Sequence, residues 1–169
     1  MVPYPDIETL PQPLKEQLAT RKPLNVFRMV MHSPAFAPAY FSMADAVRNS
    51  CLEPPLRELV ILRVGHAYKA SYELFHHERI ARDAGLSEAT IVAAGAAEPQ
   101  KGVTELEQHF IDWTDCLLNN HTLDEASRRS VISQIGFNGL ADLVFLVGFY
   151  QLVCNFLLSF DIDVERAYA

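Results

Sequence analysis

The sequence predicts an all-α protein. Apolar residues recur at helical spacing through most of the 169 residues, strand-like alternation bounded by turn signals is hard to find, and helix-starting and helix-stopping residues divide the chain at regular intervals. Residues 1–24 hold half of the ten prolines and read as an extended arm, with one short helix near Leu14 to Arg21. Residues 25–169 read as a single helical domain, which is long enough to bury a core without disulfide or metal support.

Within that domain a first helix fits Asn25 to Met31 and a second fits Pro34 to Asn49. Pro54 and Pro55 open a third, because proline is tolerated in a first turn. The next starts at Ser71 as N-cap and stops before Gly85, a natural left-handed terminator, and Ser87 caps another helix through Ala94. Thr104 with Glu107 and Thr122 with Glu125 have capping-box spacing and mark helices over 105–119 and 123–136. A last, strongly apolar helix covers 138–159. Leu56 to Leu62 and Leu140 to Leu146 match at Leu, acid, Leu, Val and Leu in register, which suggests two copies of one helical hairpin.

Composition excludes several functions. A net charge of −7 and the lack of any Lys/Arg run leave no basic footprint for nucleic acid. Cys51, Cys116 and Cys154 are too far apart for a redox pair or a zinc cluster and read as small buried residues in a reducing cytosol. The N-terminus lacks a secretory pattern, so a cytoplasmic location is expected. Leu143 to Phe160 is uncharged but contains Gln151 and Asn155, and reads as a core and subunit-interface helix rather than a membrane span. Half the residues are apolar and mean hydropathy is +0.06, high for a small monomer, so a homo-oligomer is expected.

Candidate chemistry gathers between Leu56 and Ser87. Glu73 lies four residues before His77 and three before His76, so one carboxylate shares a helix face with two imidazoles. Glu58, on the preceding helix, reaches the same place if that helix returns antiparallel or crossed. Tyr72 offers a phenol near a helix N-terminus, where a carboxylated substrate can dock. Each residue also has a bland reading: solvated histidines, carboxylates that answer the helix dipole, and a core aromatic. Glu73-x-x-His76 matches one element of a di-iron helical bundle, but no second such element occurs, so no metal is expected. There is no nucleophile elbow for a serine hydrolase.

The run Arg57-Glu58-Leu59-x-x-Leu62, Tyr72-Glu73-x-x-x-His77 and Ala84-Gly85-Leu86-Ser87 resembles the signature of the carboxymuconolactone decarboxylase and alkylhydroperoxidase D superfamily. The resemblance implies an all-α fold of duplicated helical hairpins assembled as a dimer, trimer or hexamer. In the alkylhydroperoxidase branch a glutamate, a Cys-x-x-Cys pair and a histidine relay protons to redox thiols. Glu58 and His77 match the outer positions and Tyr72 a tyrosine between the cysteines, but Ala70 and Glu73 stand where the cysteines belong. Thiol peroxidase chemistry lacks both its nucleophile and its resolving thiol. The decarboxylase branch then implies a cofactor-free acid–base enzyme on a small carboxylated or lactone metabolite. His77 is the acid–base group, with Glu58 orienting it, Glu73 a second base and Tyr72 a donor to a developing enolate. His76 and Arg57 are assigned to substrate binding. The alternatives are a non-catalytic small-molecule binding or assembly protein and, less favoured, an antioxidant thiol enzyme.

Overall fold

The computed structural model describes residues 2–165 of the chain, and every regular element among them is helical. A short 3-10 turn, Ile7–Thr9, is capped by Asp6, whose carboxylate accepts the Glu8 N–H at 3.0 Å. Helix α1, Gln12–Ala19, follows with Pro13 in its first turn. The arm is therefore helical over a third of its length, and its helix starts two residues earlier than expected. Helices α2, Asn25–Val30, and α3, Ala37–Arg48, come next. Residues 34–36 form a turn, so the helix expected from Pro34 begins three residues later, with Pro38 in its first turn.

The remaining elements are α4, Pro54–Tyr68; α5, Ser71–Asp83; α6, Glu88–Gly95; α7, Glu105–Asn120; and α8, Glu125–Ser159. The capping box of Thr104 and Glu107 forms as the spacing requires, and Ser87 accepts the Thr90 N–H at 3.1 Å. Two expected caps do not form. Ser71 is the first residue of α5 rather than its cap, a position held by Ala70. At α8 the cap is Asp124, which accepts the Ser127 N–H at 2.7 Å, while the Thr122 hydroxyl turns to the Leu123 carbonyl. Asp outcompetes Thr here because its carboxylate reaches the same amides with a charge that also suits the helix N-terminus.

Helix α8 is broken at Gly136, where φ is 72° and ψ is −177°. That conformation is essentially restricted to glycine, so the expected break between two helices is present as a kink within one continuous element.

The chain forms two compact units. The first holds residues 2–49 and 156–165 of the described chain. In it Phe27 and Phe41 meet edge to face at 5.6 Å, and Arg21 grips Asp45 through two bonds of 2.5 Å each. The second, Ser50–Asn155, holds α4 to α7 and most of α8. Its centre is α4, whose Leu59, Val60, Ile61, Leu62 and Val64 are all buried and which packs against α5, α6 and α7. A helix with so apolar a middle turn is stable only when surrounded in this way.

Two features set the geometry of α4 against α5. Lys69 takes the left-handed conformation, with φ at 55°, and the Ala70 N–H closes back on the Gly65 carbonyl at 2.9 Å, so α5 starts at once. Gly65 lets the two helices approach, since a Cβ there would lie 3.0 Å from Leu74. Arg63 fixes the other side, bonding Asp115 of α7 at 2.6 Å through two nitrogens and the carbonyls of Ala94 and Ala96 at the end of α6.

Candidate active site

The tight return from α4 to α5 brings Glu58 and His77 together. Glu58 Oε2 lies 2.6 Å from Nδ1 of His77, and Glu73 Oε1 lies 2.9 Å from Nε2 of the same ring. Glu58 and Glu73 are buried, and the His77 side chain, 16% exposed, is the most open of the three. Arg57 Nε stands 3.5 Å from Glu58 Oε1, at the far end of the row.

Both ring nitrogens of His77 thus face carboxylate oxygens, which only accept hydrogen bonds. With both carboxylates ionised, each nitrogen donates and the ring is an imidazolium. Electrostatics agrees in direction: burial pulls the pKa down, but the charge of Glu73 and the hydrogen bonds to Glu58 and Glu73 overcome it and raise it from 6.5 to about 10. At neutral pH His77 is a donor with no site for another proton. A proton acceptor in this row would then be a carboxylate, which leaves His77 the acid side of its expected acid–base role and Glu73 the base.

Tyr72 and His76, also four apart on α5, pair with each other instead, with ring centroids 4.6 Å apart, and both are buried. Arg57 serves Glu58, and Arg63 is committed to α6 and α7, so the substrate cation sought in the sequence has a structural task in each case.

The structure adds two residues that sequence reasoning missed. Tyr150 of α8 places its hydroxyl 3.5 Å from His77 Nε2 and its ring edge-on to the imidazole at 5.4 Å. Cys154, one turn further along α8, is fully buried; burial, and then the charge of Glu73, push its thiol up. Their spacing of four residues puts them on one face of α8, but no signal in the sequence tied that face to His77.

Among the described residues the cysteines are all free thiols. Cys51 is exposed, but its hydrogen bond to Asp142, then burial, raises its pKa. Cys116 bonds the Thr122 carbonyl at 3.2 Å. Neither Cys51 nor Cys154 is a ready thiolate. Among the described residues no group of three or more His, Cys, Asp or Glu side chains is arranged to hold a metal ion. A separate open cavity of about 500 Å³ lies on another face of α5, lined by His66, Glu78, Arg82, Glu88, Ile91 and Gln100 among others. None of the residues singled out in the sequence lines it.

The all-α fold thus holds a Glu–His pair between two successive helices, with no cysteine at position 70 or 73. The model of the carboxymuconolactone decarboxylase family matches residues 34–115 and, with the shared fold, supports the superfamily of that decarboxylase and alkylhydroperoxidase D. Solved structures share the fold at low identity. An uncharacterized peroxidase-related protein from Ralstonia eutropha JMP134, with an alkylhydroperoxidase AhpD core, superposes with a TM-score of 0.83 at 16% identity, covering 98% of this chain and 92% of that one. A peroxidase-related protein from Silicibacter sp. TM1040 gives 0.81 at 16%, covering 99% and 91%. A variant of the debrominase Bmp8 in complex with 2,3,4-tribromopyrrole gives 0.77 at 14%, covering 99% and 93%. No curated protein matches the chain.

Proposed function

We propose that the protein is a cofactor-independent enzyme that moves a proton at carbon, of the lyase or isomerase kind, on a small lactone or other carbonyl metabolite. The observation that carries this reading is the Glu58–His77–Glu73 row, with both nitrogens of one imidazolium bonded to buried carboxylates. The imidazolium fixes Glu73 and neutralises part of its charge, and Glu73 exchanges the proton with substrate. Glu58 orients the ring from behind, and Arg57 balances Glu58. The debrominase neighbour with 2,3,4-tribromopyrrole bound is in keeping with a small-molecule ligand. The protein acts in the cytoplasm as a homo-oligomer.

Solvent exchange tests this without knowledge of the natural substrate. In D2O, the full-length protein should speed loss of carbon-bound proton signals from members of a panel of small lactones and ketones, followed by ¹H NMR. Glu73→Gln should lower that rate by about 10²-fold or more, the usual worth of a positioned base. A rate indifferent to the substitution would remove Glu73 from the chemistry, and reduction of hydroperoxide with a dithiol donor would favour thiol chemistry instead.

A second reading rests on how little of the row meets solvent, since even His77 is only 16% exposed. A binding protein that retained the fold would show no exchange with any panel member, while its His77→Gln variant would be less stable.

A further inference from the structure

The two ends of the Glu58–His77–Glu73 row are chemically different. Behind Glu58 stands a cation, Arg57, 3.5 Å from its carboxylate. Toward Glu73 come two neutral groups of α8, the Tyr150 hydroxyl at 3.5 Å from His77 Nε2 and the buried thiol of Cys154, which feels the Glu73 charge. From α5 itself comes the imidazolium, already shared between two carboxylates. Arg63, the other arginine of α4, is engaged by Asp115 and two carbonyls. An anionic substrate placed at this end would put a third carboxylate around one imidazolium in a site nearly closed to water. Like charges so placed disfavour binding strongly.

Resting on the acid–base reading above, we infer that the molecule this site takes is uncharged where it meets Glu73: a ketone, lactone or ester with an acidic C–H, and not its carboxylate-bearing counterpart. Replacing the family's thiol with a carboxylate at position 73 thereby changes the class of substrate as well as the chemistry. In the step this allows, Glu73 takes the proton from the carbon beside the carbonyl. The C–H electron pair forms the enolate double bond, and the carbonyl π pair moves onto oxygen. That oxygen accepts a hydrogen bond from the Tyr150 hydroxyl, which keeps its own proton. Return of the proton from Glu73 to carbon gives back the starting compound or its isomer, with nothing oxidised or reduced.

Methyl levulinate and levulinate, a matched ester and anion, test the inference on the full-length protein at pH 7. Saturation-transfer NMR should show the wild type binding the ester about tenfold or more tightly than the anion, and Glu73→Gln should erase or reverse that preference. Deuterium exchange at the carbons beside the ketone should follow the same order in the wild type. Equal or tighter binding of the anion by the wild type, or no binding of either probe, overturns the inference. Ester-selective binding without any exchange would instead sink the proton-transfer reading while the charge selectivity stands. The wild-type comparison needs no variant, so a folding defect in Glu73→Gln does not obscure the result.

Discussion

At the scale of single residues, positions 70 and 73 separate this chain from a thiol peroxidase, and 73 is the one that meets His77. A thiol there would leave His77 bonded to one carboxylate and able to take a proton from sulfur. A carboxylate there saturates the ring from both sides and locks it as a cation. Stability should then depend on pH in a defined direction. Because the folded pKa of His77 is raised above 6.5, to about 10, its contribution is complete below pH 6.5 and is lost as pH rises toward 10. Urea unfolding should show stability falling across that window, by roughly 1 kcal/mol per pH unit, and His77→Gln should flatten the fall. A wild type as stable at pH 9.5 as at pH 7 would contradict the ion-pair row. Glu58, Glu73 and His77 were all legible in the sequence, since spacing put two on one face and the family motif supplied the third. The direction of proton transfer was not, because it depends on which oxygen faces which nitrogen.

Among the elements, α8 holds most of what the sequence left hidden. Its inward face supplies Tyr150 and Cys154, yet nothing in an apolar helix announces which side chain will touch a distant imidazole until the packing is known. Its outward face leaves Val144, Phe145 and Leu152 exposed, at 46%, 63% and 53%. The helix is long and apolar enough to cross a membrane, with mean hydropathy 1.8 over its most apolar stretch, 39% of which is buried. Exposed apolar residues repeating along one helix face suit a second copy of the chain. Sedimentation analysis should therefore show an oligomer for the wild type, and paired Phe145→Glu and Leu152→Glu should shift it toward monomer without loss of helix content. A wild type that sediments as a monomer would leave the stripe without that role. Helix ends followed the sequence where a side chain made the expected cap, as at Thr104 and Ser87. They departed where a stronger competitor stood nearby, as Asp124 does beside Thr122.

For the molecule as a whole, the helical periodicity, the capping residues and the family motif agreed on one fold, which is the consistency across levels expected of a sequence that specifies its structure. The division into two compact units, Ser50–Asn155 and the remainder, was not readable, because α8 passes from one to the other without a linker or a change of composition. The chemistry described lies entirely within Ser50–Asn155. It rests on His77 being an imidazolium between two carboxylates, and that state is directly observable. A long-range ¹H–¹⁵N correlation of histidine-labelled protein, with His77 assigned by substitution, reports the protonation of both ring nitrogens. The account predicts that at pH 7 both nitrogens of His77 resonate as protonated and remain so until the pH approaches about 10. A neutral single-tautomer ring at pH 7, titrating near the ordinary histidine value of about 6.5, would contradict it.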